Sequence, residues 1–297
     1  MHIWHLVGQT AYPESKFFTG RKKITCLDTI SNTQPRSHGT LQITSKALGR
    51  GASSLGTLRQ QGSAKFLSVS RRDAVEGVVI NTSGGITGGD TLRIDAHAGA
   101  DSTLRLTTQA AERIYRSSDQ TAGSVTTRLS AEPGSRLDWL PQETILFDNA
   151  YLRRSLEASI TSDSRFLMVE PVLFGRLAMG ETVQQAHLSD RITITRDDKV
   201  LFRDATLLRG DIASQLDRPG VGNGARAMAF VLYAAPDAEA YLDRIRDLLP
   251  NTAGASLVAE GALVMRFLAA DGFGLRQSLL PVLDLLTGND LPRSWRL

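Results

Sequence analysis

Apolar and polar residues alternate along most of this chain, and a period of two leaves few folds open to it. The pattern is clearest at residues 91–96, where Leu92 and Ile94 share one face of a predicted strand. The same spacing recurs at Leu104/Leu106, Val125/Leu129, Leu137/Trp139, Ile145/Phe147, Ile192/Ile194, Val200/Phe202 and Met228/Phe230/Leu232. Turn-forming residues separate these runs, so strands recur about every 8–12 residues. The spacing predicts an all-β dominated fold and leaves sandwich, barrel and solenoid open.

Two helices are predicted near the carboxyl end. Apolar residues at helical spacing cover residues 238–249, with Asp237 as the N-cap and Pro250 as the stop. A second, shorter helix is predicted over residues 278–286, ending at Gly288, with Pro281 tolerated in its first turn. Between them, residues 257–268 read as further strand.

The first 37 residues carry no sustained periodicity. We predict that residues 1–37 are an extension, either disordered or upstream of the true start, and that residues 38–297 form a single β-rich domain. Residues 1–60 have a net charge of +6, whereas the whole chain has +3. A basic tail can bind nucleic acid, but no zinc-finger, RNA-recognition or helix-turn-helix pattern accompanies it. We therefore expect no nucleic-acid partner.

Composition excludes several other classes of protein. The one cysteine, Cys26, excludes an internal disulfide framework and a cysteine-cluster zinc site. No segment approaches the roughly 18 consecutive apolar residues of a membrane helix, so no membrane span is expected. The amino-terminal residues do not resemble a secretory signal, which favours a reducing, cytoplasmic setting.

A glycine-rich segment occupies residues 81–90. Gly84 and Gly89 have the spacing of a phosphate-binding loop, but Asp90 stands where that loop needs lysine. A predicted strand follows, so no helix amino terminus is available for an anion. We expect a tight structural loop that uses Gly84, Gly85, Gly88 and Gly89 for positive φ or close approach. A binding loop around Asp90 is the alternative.

Four acidic residues are candidate ligands of a divalent ion. They are Asp90, Glu143, Asp148 and Glu170. Glu170 follows the apolar run at residues 166–169, and a carboxylate carried into a β core needs a partner such as Arg176, a proton or a metal ion. Oxygen ligands suit hard or transiently bound cations. A structural salt bridge is the alternative for each of the four.

A further segment has the residue types of a partner surface. Arg113, Tyr115 and Arg116 lie close together at the end of a predicted strand, and arginine and tyrosine are favoured interface anchors. A solvated strand edge is the alternative. No nucleophile elbow is present and Cys26 has no nearby histidine, so no catalytic constellation is evident. A β-helix enzyme acting on acidic carbohydrate, with Glu143 paired to Glu170 or Asp148, stays as an alternative.

Several segments, in this order, resemble the urease accessory protein family called UreD or UreH. The segments are residues 61–65 (QGSAK), 83–90 (SGGITGGD), 107–111 (TTQAA), 115–117 (YRS), 140–145 (LPQETI), 170–171 (EP), 174–176 (FGR), 180–181 (GE), 203–204 (RD), 275–276 (LR) and 292–295 (PRSW). The resemblance begins near residue 38 and extends to the carboxyl terminus. Each motif alone is weak, but the ordered set is specific.

The resemblance implies a β-helix-like fold of stacked strand layers with two α-helices near the carboxyl end. It also implies a protein that is not an enzyme and holds no tightly bound cofactor. Such proteins bind apo-urease and a UreF-type accessory protein, which recruits a UreG-type GTPase, and nickel passes through the assembly to urease. Asp90, Glu143, Asp148 and Glu170 become candidates for the nickel path. The candidates for partner contact are Arg113, Tyr115, Arg116, Arg176 and the carboxyl-terminal helices.

Overall fold

The structure is a computed structural model of the 297-residue chain, and it describes residues 35–69 and 71–296. The predicted extension, residues 1–37, therefore lies almost entirely outside the described residues. From Arg36 onward the chain forms one compact unit. None of the helices in the described part combines the length and apolarity needed to cross a bilayer.

Seventeen strands build the described part of the chain. They are β1 (His38–Gly49), β2 (Ala52–Gly62), β3 (Ala64–Val69), β4 (Val75–Asn81), β5 (Thr91–Ala98), β6 (Thr103–Thr108), β7 (Glu112–Ile114), β8 (Gly123–Ala131), β9 (Arg136–Leu140), β10 (Thr144–Leu146), β11 (Tyr151–Ile160), β12 (Arg165–Phe174), β13 (Ala186–Arg196), β14 (Lys199–Gly210), β15 (Ala227–Ala234), β16 (Ala253–Ala259) and β17 (Ala262–Ala269). The prediction of a fold dominated by β-structure is confirmed.

The strands form two sheets. A seven-stranded sheet has the order β14-β13-β11-β8-β5-β1-β2, and its strands from β1 to β13 pair in parallel. A ten-stranded sheet follows the path β16-β17-β15-β12-β9-β6-β4-β3, with β10 and β7 attached beside β12. From β4 to β13 the chain alternates between the two sheets, so successive turns of the chain stack as layers. Stacking of this kind is that of a solenoid, and it decides among the architectures that periodicity left open.

The side chains that face inward from both sheets form one apolar core. In β5, Leu92 and Ile94 point inward and lie beside Val125 and Thr127 of β8 in register. Leu104 and the other inward side chains of the ten-stranded sheet pack against them. Alternation in sequence thus becomes alternation between core and solvent across the seven-stranded sheet.

Two of the predicted inward pairs are placed differently. Thr144 and Leu146 are the buried positions of β10, and Ile145, which points to the opposite face of the strand, is only half-buried. The Thr144 hydroxyl accepts a hydrogen bond from the buried Arg154. Val200 is 52% exposed: it pairs with Thr195 at the register shift between β13 and β14, and β14 is the edge strand of its sheet.

A second core lies on the other face of the ten-stranded sheet. The helices are α1 (Ile212–Asp217), α2 (Leu242–Arg246) and α3 (Gly272–Thr287), with short 3-10 turns at Leu177–Met179, Ala238–Tyr241 and Arg293–Arg296. Leu279 and Leu283 of α3 belong to the same apolar cluster as Leu167 and Val169 of β12, and α3 itself packs on β15 and β17; Trp295 completes this layer. Strand β12 is consequently buried on both faces.

The two helices predicted near the carboxyl end lie in the expected regions, but their bounds differ from the prediction. The predicted helix at residues 238–249 is a 3-10 turn followed by the five-residue α2. Its expected cap, Asp237, instead accepts hydrogen bonds from Arg165 and Tyr233, so it cannot close the first turn. The short helix α1 was not predicted, and its cap is Asp211, which accepts from the Ser214 amide at 2.9 Å.

The second predicted helix begins six residues earlier than expected. Helix α3 starts at Gly272 because the Asp271 carboxylate accepts from the Gly274 amide at 2.8 Å, and it ends at Gly288 in the left-handed region. Pro281 therefore lies inside the helix rather than in its first turn. Residues 257–268, predicted as further strand, include parts of β16 and β17, and the chain reverses between them at Gly261, which has φ of 64°.

Candidate functional site

The glycine loop between β4 and β5 is shaped by close approaches. Gly84, Gly85 and Gly89 have φ of 76°, 154° and 83°. A Cβ added to Gly85 would lie 2.3 Å from the Tyr115 ring, and one added to Gly88 would meet the Ser117 hydroxyl at 2.3 Å. Only glycine leaves room for these contacts.

Asp90 closes this loop through its carboxylate. Its Oδ1 accepts a hydrogen bond from the Ser37 amide at 2.7 Å, and its Oδ2 accepts from the Thr87 amide at 2.9 Å. The side chain is buried. Both oxygens therefore tie backbone segments together, through amide hydrogen bonds and not through a salt bridge.

Tyr115 and Arg176, two candidates for partner contact, meet around Phe147. The Tyr115 and Phe147 rings pack edge to face with centroids 5.2 Å apart, and the Arg176 guanidinium lies 4.3 Å from the Phe147 centroid. We call these three residues the Phe147 cluster. Arg113 and Arg116 are exposed beside it.

Asp148 and Glu143 are each bound by a different part of the chain. Asp148 Oδ1 accepts from the amides of Gln184 and Gln185, both at 2.8 Å, so it holds the segment before β13. Glu143 is buried and forms an ion pair with Arg276 of α3, whose Nε lies 2.7 Å from Oε1. Glu143 thus links the ten-stranded sheet to the carboxyl-terminal helix.

Glu170 lies in the interior between the two sheets. Its Oε2 is 2.6 Å from Arg154 Nη1, and its Oε1 accepts from Trp139 Nε1 at 2.8 Å. Arg154 also binds Asp190 with two nitrogens, Nε at 3.0 Å and Nη2 at 2.6 Å. The arginine that meets Glu170 is therefore Arg154, whereas Arg176 pairs with Glu181 on the surface. Arg154, Glu170 and Asp190 are called the Arg154 triad below.

Burial dominates the electrostatics of this triad. Loss of water raises the pKa of Glu170 above its ordinary value, although Arg154 acts in the opposite direction. Loss of water also disfavours the charged guanidinium of Arg154, but Asp190 and Glu170 outweigh it and raise the arginine pKa. One cation and two carboxylates leave the triad with a formal charge of −1 when both acids are ionised.

Two cavities reach the Arg154 triad. The first, of about 300 Å³, lies between the sheets, with Ile94, Trp139 and Thr144 in its wall and the exposed Gln109 and Arg113 at its outer end. The second, of about 780 Å³, is lined by Asp204, Met228 and Phe230 and ends at the exposed Asn223 and Thr252. Arg154 and Glu170 line both cavities.

The structure does not bring the four candidate acids into one site. Asp90, Glu143, Asp148 and Glu170 have separate partners, and Glu170 is the member of this set that lines the cavities. Across residues 35–69 and 71–296, no group of three His, Cys, Asp or Glu side chains is placed to hold a metal ion. Glu143 and Glu170 are paired with different arginines, so this geometry offers no support for the carbohydrate-cleaving alternative.

Comparison with known proteins decides the family. The family described as UreD urease accessory protein matches residues 37–296. This chain belongs to the UreD family. A Roseobacter denitrificans protein named urease accessory protein UreD is 49% identical over 264 residues, which cover 89% of this chain and 96% of that protein. The UreD proteins of Agrobacterium fabrum and Rhizobium leguminosarum are 44% and 42% identical and are covered over 93% and 98% of their lengths.

UreD membership confirms the resemblance drawn from the ordered motifs, and it gives the chain a role in urease maturation. The matched region, residues 37–296, includes both sheets, both cavities and the carboxyl-terminal helices. The Arg154 triad and the Phe147 cluster therefore lie within the UreD region of the chain.

Glu112 is a cavity residue of this UreD chain that the sequence patterns did not indicate. It lines the first cavity, and Asn81 Nδ2 donates to both of its carboxylate oxygens at 3.2 Å. Burial raises its pKa from 4.5 to about 7. Most residues of the segment 107–117 are polar, so the sequence did not indicate that the Glu112 side chain is withdrawn from water.

We expect Glu112 to make stability fall as the pH rises from about 4.5 to about 7. Because its pKa is higher in the folded chain than the ordinary 4.5, the folded state binds the proton more tightly between these values. The free energy of unfolding should drop by about 1–3 kcal/mol from pH 5 to pH 8 through this group. Melting curves of the wild type and Glu112→Gln at both pH values measure the difference.

The control for this prediction is Glu157→Gln. The Glu157 side chain is 61% exposed on the outer face of β11, so its removal should leave the pH profile of the wild type unchanged. Glu112→Gln should flatten the profile. Parallel profiles for Glu112→Gln and the wild type would contradict the prediction.

Proposed function

We propose that this chain is a scaffold and metallochaperone of urease maturation, which binds apo-urease and other accessory proteins and assists nickel insertion. The observation that carries the proposal is the pair of cavities that reach the Arg154 triad from different exposed ends. Together with UreD membership, this arrangement supports a nickel path through the interior.

The residues along the cavities suit an ion in transit. The first cavity presents the carboxylates of Glu112 and Glu170, and the second presents Glu170, Asp190 and Asp204. Carboxylate oxygens bind divalent nickel less tightly than thiolate or imidazole ligands do, and a conduit has to release its cargo. Of the four acids predicted for the path, Glu170 is the one that this proposal retains.

Partner binding belongs to the same proposal. The partners are apo-urease, a UreF-type accessory protein and, through it, a UreG-type GTPase. The exposed Arg113 and Arg116, with Tyr115 and Arg176 of the Phe147 cluster, supply arginine and tyrosine at one surface. This surface adjoins the outer end of the first cavity, which Arg113 lines, so a partner bound there would cover a cavity entrance.

We expect Glu170→Gln to separate partner binding from nickel delivery. Glutamine keeps the volume of the side chain but removes the charge at the meeting point of the cavities. Co-purification with apo-urease should persist, while the nickel content of urease matured with the variant should fall at least fivefold. Metal analysis of purified urease measures this outcome, and a melting curve of the variant reports its folding.

Glu157→Gln is the matched control, because it removes the same charge from the exposed face of β11, the strand that precedes β12 in the chain. Urease matured with this control should carry its normal nickel content. A normal nickel content with Glu170→Gln as well would reject the conduit. Loss of apo-urease binding together with nickel would assign Glu170 to folding instead of transport.

A further inference from the structure

The Arg154 triad connects the two sheets across the interior. Arg154 on β11 and Asp190 on β13 are direct neighbours in the parallel register of the seven-stranded sheet. Glu170 comes from β12 of the ten-stranded sheet. All three side chains are buried, and the guanidinium lies between the carboxylates of the two sheets.

The cavity walls show what this ion pair separates. Trp139 and Thr144 line the first cavity, and Asp190 lines the second, whereas Arg154 and Glu170 line both. A cation that moves from one cavity to the other therefore passes the contact between Arg154 Nη1 and Glu170 Oε2, which is 2.6 Å long. At this separation the two groups leave no room for an ion between them.

The two halves of the triad are not equivalent. Arg154 holds Asp190 through Nε and Nη2, but reaches Glu170 through Nη1 alone, and that nitrogen also donates to Thr144 Oγ1 at 3.1 Å. A bidentate pair fixes the plane of the guanidinium, and a single contact does not. The Glu170 contact is thus the one that can open while Arg154 stays on Asp190.

We propose that Arg154 is the gate of the conduit: a divalent cation passes by displacing the guanidinium from Glu170, and the guanidinium returns when the ion leaves. This inference rests on the proposed function. A divalent ion attracts a carboxylate twice as strongly as a monovalent one at equal separation, so it can compete with the guanidinium for Glu170. Trp139 Nε1 keeps the Glu170 carboxylate in place during the exchange.

The same geometry explains why the conduit contains an arginine at all. Without Arg154, Glu170 and Asp190 would be two buried carboxylates with no resident cation. Such a pair either takes up a proton or retains a metal ion. Arg154 therefore keeps the narrowest point from becoming a trap for the ion that has to pass.

The test is nickel binding by the purified full-length chain, measured with Ni²⁺ alone in competition with a chromophoric chelator. Arg154→Met should bind one nickel ion more than the wild type does. Its affinity for nickel should be at least tenfold higher than the wild-type affinity. The double variant Arg154→Met/Glu170→Gln should lose this gain. Arg154→Lys, whose single ammonium cannot hold both carboxylates, should gain at least threefold.

Arg105→Met is the matched control. Arg105 is also a buried arginine paired with carboxylates, Asp138 at 3.0 Å and Asp290 at 2.8 Å, but it lines neither cavity. After the substitution Arg136 still pairs with Asp138, and Arg71 still pairs with Asp290 and with Glu76, the third carboxylate beside Arg105. Nickel affinity of this control should equal that of the wild type.

The gate is rejected if folded Arg154→Met and Arg154→Lys both bind nickel within twofold of the wild type, or if the gain survives in the double variant. If Arg154→Met does not fold, the gate is rejected when folded Arg154→Lys binds nickel within twofold of the wild type. This measurement contains no urease, so a negative result would reject the gate but would not reject the proposed nickel conduit. Normal nickel loading with Glu170→Gln would instead reject the conduit itself.

Discussion

Replacing Arg105 by methionine is expected to lower the free energy of unfolding by about 3–5 kcal/mol. Arg105 is buried on β6 and lies beside Asp138 of β9 in register, with Nε 3.0 Å from a carboxylate that is 1% exposed. Its Nη1 also binds Asp290 at 2.8 Å, so it connects the sheet to the chain beyond α3. The substitution leaves Asp138 desolvated with Arg136 as its remaining charged partner.

Urea denaturation measures this loss, and Arg93→Met provides the comparison. Arg93 also pairs with an aspartate, Asp95, at 2.7 Å, but its own side chain is 51% exposed. Exposed ion pairs contribute about 0–1 kcal/mol, so this control should unfold near the wild-type midpoint. An equal loss in the two variants would contradict the assignment of Arg105 to a buried network.

Truncating Trp295 to alanine is expected to cost about 3–5 kcal/mol. Trp295 is 1% exposed, its Nε1 donates to the Leu140 carbonyl at 2.9 Å, and the Arg276 guanidinium lies 5.3 Å from its ring centroid. The cavity left behind would lie between the ten-stranded sheet and α3. It would also weaken the placement of Arg276 against Glu143.

Phe273→Ala controls for the loss of an aromatic ring. Phe273 belongs to α3 and is 73% exposed, so little burial is lost when it is truncated. Its melting temperature should stay within about 1 °C of the wild type, whereas that of Trp295→Ala should fall by several degrees. Similar melting temperatures for the two variants would show that the carboxyl-terminal segment does not stabilise the sheet.

The sequence predicted the strands better than their arrangement. Leu92 and Ile94 alternate with polar residues in the same way in a sandwich, a barrel or a solenoid, because periodicity reports which face is buried and not which strand is the neighbour. The pairing of β5 with β8 across a segment of the other sheet is visible only in the structure. The ordered family motifs implied stacked strand layers, which periodicity could not, but they did not indicate which strands pair.

The site was predictable in part. The apolar run before Glu170 indicated burial, and the carboxylate is buried. Arg154 and Asp190 carried a signal that was missed: each occupies an inward position between apolar residues, as in Leu152–Arg154–Leu156. A charge at a core position of an alternating strand needs a buried partner. Which partner it meets depends on strand register, so Arg176, close in sequence to Glu170, was the wrong choice.

The alternation of the chain between its two sheets has a consequence for synthesis on the ribosome. Strands β5, β8, β11 and β13 are neighbours in space, yet none follows its neighbour directly in the chain. A nascent chain that has completed β8 presents an unpaired strand edge until β11 has been translated. Non-local pairing of this kind folds slowly and exposes the growing layer to aggregation. The rate of translation therefore determines how long each unfinished layer stays exposed to aggregation.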